Sequence, residues 1–177
     1  MKQLVLFLLF LVPAFAFAGG DTLSLKTISS RDSLVLNHSI YSLENAIVSY
    51  SATFLKSPYR YGGHSRKGFD CSGFVSTVYK NFGIALPHSS KGMYTTGQPI
   101  ELQDVRKGDL LLFKNTNHRR KGIGHVAIVT EARDGNIVFI HSATHLGVRY
   151  DNLSAPYYTK HYYQAIRLVL PDSLKVK

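Results

Sequence analysis

The hydrophobic periodicity changes half-way along this chain of 177 residues, and that change restricts the folds the chain can adopt. Between residues 40 and 54, apolar residues recur at steps of three and four, which places them on one face of a helix. Pro58 predicts the end of this helix, because the residue before a proline is pushed out of the helical region. A second apolar face runs from Phe74 to Phe82, and Gly83 follows it as a helix stop.

Beyond residue 100 the pattern is that of strands. Five segments rich in Val, Ile, Phe and Tyr are separated by turn residues, and they cover residues 109–113, 126–130, 137–140, 148–150 and 162–170. Asp134-Gly135-Asn136 predicts a tight turn between the second and third of them. Helices followed by strands predict an α+β domain with an antiparallel sheet.

The first 18 residues have the pattern of a cleavable signal peptide. Lys2 precedes an apolar run over residues 4–12, and Ala16-Phe17-Ala18 forms a small-x-small cleavage site. The run is too short to span a bilayer comfortably, and no cysteine stands at the cleavage site for lipid attachment. We therefore expect a periplasmic or secreted protein with no stable membrane anchor after cleavage.

The rest of the chain divides into three parts. We expect a linker or N-terminal arm over residues 19–40, one catalytic domain over residues 41–170, and a short tail over residues 171–177. The net charge of +10 favours an acidic partner such as nucleic acid, anionic lipid or a cell-wall polymer. The basic residues are scattered, apart from Arg119-Arg120-Lys121, so we do not expect nucleic-acid binding.

Cys71 is the only cysteine in the sequence. A lone cysteine in an exported protein cannot form an internal disulfide, so it is either buried and inert or kept for its reactivity. Asp70 is a good N-cap, and the N–H groups and dipole at a helix start favour a thiolate. A structural cysteine would behave as a small hydrophobe, and a position between Asp70 and Ser72 is a poor one for burial. The sequence predicts that Cys71 is a nucleophile.

Two histidines are candidates for the base and its orienting group. His125 opens one predicted strand and His141 ends the next, so a tight hairpin would bring them together. Each alone could be a polar residue at a sheet edge. A zinc site could use His141 and His145, but the chain has neither a His-Glu-x-x-His motif nor a second cysteine. We expect no metal and no other cofactor.

Several blocks resemble the NlpC family of cell-wall cysteine peptidases. They are Tyr59-Arg60-Tyr61-Gly62-Gly63, Gly68-Phe69-Asp70-Cys71-Ser72-Gly73-Phe74-Val75, Leu86-Pro87, Gly108-Asp109-Leu110, His125-Val126-Ala127-Ile128, Phe139-Ile140-His141-Ser142-Ala143 and Pro156-Tyr157-Tyr158. The resemblance runs in order over about residues 41–170. Two features depart from it: His88 stands where an Arg is usual, and the hairpin between the two histidines is longer.

The resemblance implies a papain-like core with Cys71, His125 and His141 as the catalytic residues. It also implies that Tyr59, or secondly Tyr61, helps stabilise the oxyanion, and that Asp70 and Ser72 help bind the substrate peptide. The implied substrate is a peptidoglycan stem peptide, cut next to a diamino acid by a protein that we expect to act as a monomer. Two bonds are open: the cross-link between D-Ala and the diamino acid, which we favour, and the stem bond between D-Glu and the diamino acid.

Two other functions are possible on the same fold. A catalytically inactive wall-binding module would need the groove without the cysteine, both histidines and Tyr59, and all of these are present. An acyltransferase or amidase on the same fold would give different products, which mass analysis distinguishes.

Overall fold

A computed structural model describes residues 30–117 and 121–169, with side chains from residue 41 onward. The helices are α1 (Ser30–Ala52), α2 (Cys71–Lys80), α3 (Ser90–Tyr94) and α4 (Pro156–His161), and Leu102–Asp104 forms a 3-10 turn. The strands are β1 (His64–Ser65), β2 (Gly68–Phe69), β3 (Gly97–Ile100), β4 (Leu110–Lys114), β5 (Ile123–Arg133), β6 (Asn136–Ala143), β7 (Gly147–Asn152) and β8 (Tyr162–Leu168). The predicted signal peptide and C-terminal tail lie outside the described residues. Among those described, no helix has the length and apolar character needed to cross a membrane.

Six strands form one sheet in the order β3-β8-β4-β5-β6-β7, and β1 pairs with β2 in a separate hairpin. Every pairing in the large sheet is antiparallel, which confirms the predicted α+β fold. The five predicted strands correspond to β4 to β8. The apolar pattern predicts no strand at β3, which contains Pro99. A proline is tolerated there because β3 is an edge strand, where a missing N–H breaks no central ladder.

Helix α1 starts ten residues before the first apolar residue of the predicted stripe, Ile40. The stripe marks the part of the helix that packs on the core, where Ile47 and Phe54 are almost fully buried. The helical segment ends at Ala52, earlier than Pro58 predicts, and a turn follows in which Lys56 has a φ of 68°.

Helix α2 matches its prediction closely. The side chains of Phe74, Val75, Val78 and Tyr79 are at most 1% exposed and pack in the core between the helices and the sheet. Burying a side chain of this size contributes roughly 1.5–3 kcal/mol, so this face fixes α2 against β5 and β6.

The β5–β6 hairpin turns through Asp134 and Gly135, whose φ angles are 52° and 77°. Two positive φ angles are those of a type I′ turn, for which Asp-Gly is a favoured pair. The predicted turn is confirmed. It aligns the two strands antiparallel, so that His125 and His141 lie at the same end of the sheet.

Candidate active site

Cys71 is the first residue of α2, as predicted. Asp70 caps the helix by accepting a hydrogen bond from the Gly73 N–H at 2.6 Å. Backbone N–H groups of Cys71, Ser72 and Val126 stabilise a negative charge on the sulfur. The thiol therefore lies between the start of the helix and strand β5, and it keeps partial exposure to solvent.

The Asp70 carboxylate joins the preceding loop to the helix. One oxygen accepts from Ser72 Oγ at 3.0 Å, and the other accepts from the Gly62 N–H at 3.0 Å. His88 Nε2 lies 3.4 Å from the first oxygen, so the histidine that replaces the usual Arg contacts the cap. Ser72 is only 5% exposed. The part predicted for Asp70 and Ser72 in substrate binding stays a prediction.

The two predicted histidines contact each other directly. His125 Nε2 lies 2.7 Å from His141 Nδ1, and the rings meet edge to face. His141 is 2% exposed. Next to it, buried Ser142 donates a hydrogen bond to the Phe69 carbonyl at 2.8 Å, which ties β6 to the segment just before Cys71. This bond fixes the histidine strands relative to the thiol helix.

A further carboxylate, which the sequence argument missed, completes the cluster. Asp151 Oδ2 lies 2.8 Å from His141 Nε2 and accepts a hydrogen bond from Tyr158 Oη at 2.8 Å. Arg149 donates to the other oxygen at 2.9 Å. The feature that could have revealed Asp151 is the register in which β6 pairs with β7. His141 pairs with Arg149, and a residue two positions along β7 is a diagonal neighbour on the same face.

Burial shifts the pKa values of the Cys71 thiol and the His125 imidazole. Burial, and then the charge of Asp70, raise the pKa of Cys71 to about 11, although the backbone N–H groups act in the opposite direction. Burial, and then the charge that His141 carries when it is protonated, lower the pKa of His125 to about 3. Burial thus disfavours the charged form of both groups.

The N–H groups at the helix start favour the thiolate, as expected, but burial and the charge of Asp70 outweigh them. A helix terminus contributes roughly 0.3–1 kcal/mol at an exposed site. Each pKa unit corresponds to about 1.4 kcal/mol, and the loss of solvation at Cys71 amounts to more than the helix supplies.

Of the two candidate tyrosines, Tyr59 is the one near the thiol. Negative charge on Cys71 contributes, after burial, to raising the pKa of Tyr59, and Thr144 is its hydrogen-bond partner. Tyr61 is 85% exposed and points away from the core. Tyr59 is therefore the better placed of the two tyrosines, and its role in stabilising the oxyanion stays a prediction.

A groove of about 380 Å³ opens beside the histidine pair. Its walls include Lys114, His145 and His161 as well as His125 and His141. Within residues 30–117 and 121–169, no group of three His, Cys, Asp or Glu side chains is arranged to hold a metal ion.

A cysteine thiol at a helix start, an imidazole base and a buried polar partner for that base form the site of a cysteine hydrolase. The sequence profile of the NlpC/P60 family matches residues 56–167. The chain is 33% identical over 159 residues to murein DD-endopeptidase MepS/murein LD-carboxypeptidase of Escherichia coli K12, covering 89% of this chain and 79% of that protein. It is 35% identical to the probable endopeptidase NlpC of the same organism, over 92% of this chain and 99% of the relative.

Solved structures agree with the sequence relatives. A lipoprotein-like NLP/P60 family protein of Staphylococcus aureus superposes with a TM-score of 0.64 at 31% identity. The match covers 73% of this chain, which spans 42% of that longer protein. The chain therefore belongs to the NlpC/P60 family of cysteine peptidases.

Proposed function

We propose that this protein is an exported peptidoglycan hydrolase that cuts cell-wall peptides next to a diamino acid. The observation that carries the proposal is the pairing of His125 and His141 at 2.7 Å, with the Cys71 thiol at the start of α2 held by the backbone N–H of Val126, the residue after His125. The relatives support it, because one is named a murein endopeptidase and another a probable endopeptidase.

The reaction proceeds through an acyl-enzyme. The Cys71 sulfur attacks the carbonyl carbon while its proton passes to His125. The N–H of Cys71 and the hydroxyl of Tyr59 stabilise the oxyanion. His125 then gives its proton to the leaving amine, the C–N bond breaks, and a water molecule activated by His125 releases the acyl group and regenerates the thiol.

The groove fits a substrate that carries carboxylates. Lys114 is exposed at its wall, and His145 and His161 add donors that become cationic on protonation. The net charge of +10 acts in the same direction, because it attracts an anionic polymer over a distance of about a Debye length. Peptidoglycan stems carry several carboxylates each.

Within this class of substrate we favour the cross-link between D-Ala and the diamino acid. The relative MepS is named a murein DD-endopeptidase, an activity that cuts between two D centres. MepS is also named a murein LD-carboxypeptidase, so the products should also be checked for loss of a terminal D-Ala. The alternative is the stem bond between D-Glu and the diamino acid.

Digestion of defined muropeptides tests the proposal. Purified cross-linked dimers and uncross-linked stems are incubated with the mature enzyme and with Cys71→Ala, and the products are identified by mass. We expect dimers to become monomers, and the variant to lose at least about a thousandfold in rate. Release of an L-Ala–D-Glu dipeptide with intact dimers would replace the favoured bond by the alternative. Equal activity in Cys71→Ala would refute the mechanism.

Export has its own test. If residues 1–18 are a cleaved signal, the protein recovered from the periplasm or the medium begins at Gly19. N-terminal sequencing reads this directly. A protein that keeps Met1 in that fraction contradicts the proposal of a cleaved signal.

A further inference from the structure

A line of hydrogen bonds runs from the base into the protein and ends on a carboxylate. His125 Nε2 contacts His141 Nδ1 at 2.7 Å, and His141 Nε2 contacts Asp151 Oδ2 at 2.8 Å. We propose that Asp151 is a positioning residue, which fixes the tautomers of both histidines so that Nδ1 of His125 is free to take the thiol proton. The inference rests on the proposed role of His125 as the base.

Asp151, at the end of this line of hydrogen bonds, determines which atom donates at each step. Asp151 receives hydrogen bonds from Tyr158 and Arg149. Burial acts to raise its pKa, but hydrogen bonds from His141 and Tyr158, the charge that His141 carries when it is protonated, and the charge of Arg149 together hold that pKa below its ordinary value. Burial and the bond to Asp151 raise the pKa of Tyr158, so its hydroxyl keeps the proton that it donates. Asp151 is thus an ionised acceptor with no proton of its own.

The protons on the two rings follow from that acceptor. His141 Nε2 must carry a hydrogen, because two acceptors would not sit 2.8 Å apart. In the neutral ring Nδ1 then carries only a lone pair. That lone pair accepts from His125 Nε2 at 2.7 Å, so the hydrogen of neutral His125 is on Nε2. The remaining nitrogen, Nδ1, is unprotonated and can act as a base.

The same line stabilises the charge that forms during attack. When His125 takes the thiol proton it becomes an imidazolium, and its Nε2–H already points to His141. His141 in turn donates its own N–H to the Asp151 carboxylate. The negative charge of that carboxylate offsets the new positive charge on His125, with only the His141 ring between them. This matters because burial otherwise disfavours a charged His125.

Asp151→Asn tests the inference with little change of shape. An amide can turn its NH₂ group to His141 Nε2, which would move the His141 hydrogen to Nδ1 and the His125 hydrogen to Nδ1 as well. The base would then be blocked. We expect kcat on muropeptides to fall by roughly 10- to 100-fold with KM nearly unchanged, less than the ~10⁴-fold loss when the carboxylate contacts the base directly. Asp134→Asn is the matched control, since Asn tolerates the positive φ of this turn.

Nitrogen NMR of ¹⁵N-histidine-labelled protein reads the tautomers without any substrate. In the wild-type protein we expect hydrogens on Nε2 of both His125 and His141, and in Asp151→Asn on Nδ1 of both. An unprotonated Nε2 on His141 in the folded wild-type protein would overturn the inference, whether or not the variant folds. Wild-type kcat in a folded Asp151→Asn would do the same. Failure to cleave muropeptides, with the expected tautomers present, would count against the proposed function alone.

Discussion

Removal of the Asp70 side chain perturbs both the stability of the fold and the chemistry of the thiol. Asp70→Ala deletes the N-cap bond to the Gly73 N–H and the bond to the Gly62 N–H. Loss of a cap costs about 1 kcal/mol, and loss of the second acceptor costs about 1 kcal/mol more. The expected decrease in the free energy of unfolding is therefore about 2 kcal/mol, which corresponds to a Tm lower by roughly 4–8 °C for a chain of this size.

Two further variants separate the contributions. Asp70→Asn keeps the cap but presents an NH₂ group to the Gly62 N–H, so we expect it to lose about half as much stability. Ser89→Ala removes only the cap bond of α3, at 3.0 Å, and provides the matched control for a single lost cap. Urea unfolding followed by far-ultraviolet circular dichroism measures all three. If Asp70→Ala is no less stable than Ser89→Ala, the reasoning about the second bond is wrong.

The same variants test the electrostatics of the thiol. The charge of Asp70 contributes to the raised pKa of Cys71, so either Asp70 variant should move the alkylation of the thiol by iodoacetamide to lower pH. Because Cys71 is the only cysteine, the rate reports this group alone. Ser89→Ala should leave the profile unchanged. An unchanged profile in both Asp70 variants would refute the charge effect, and unchanged KM on muropeptides would remove Asp70 from substrate binding.

Three other changes have defined outcomes. The pKa of His125 is held below its ordinary value of 6.5, so the unfolded chain binds this proton before the folded protein does as the pH falls. Urea titrations should therefore show the free energy of unfolding decreasing below about pH 6.5, by up to ~1.4 kcal/mol per pH unit. His125→Ala should lack this component. His141→Ala should lower kcat with little effect on KM, and an unchanged rate would exclude it from the site. Gly73→Ala should unfold or fail to express, because a Cβ would clash with the Gly63 carbonyl oxygen, and a variant of wild-type stability would contradict that packing.

The parts of the site that depend on local signals could be predicted from the sequence. Asp70 is a capping residue placed before an apolar helical face, so both the start of α2 and the position of Cys71 follow from neighbouring residues. Asp134-Gly135 similarly determines its turn, and the turn aligns the strands that carry His125 and His141.

The sequence did not reveal Asp151, because its role depends on a third strand pairing with β6 and on Tyr158 approaching from α4. Nor did it reveal how far burial opposes the charged forms of Cys71 and His125. The N–H groups near Cys71 are local features of the helix start, whereas only the tertiary structure removes water from the thiol and from His125.

The sequence by itself thus determined which residues have the chemistry and which local elements hold them. The tertiary structure decided which of them meet and in what state of protonation. Short-range hydrogen bonds and periodicity act between residues that are close in the chain, while desolvation and the convergence of polar groups arise only when distant segments pack together.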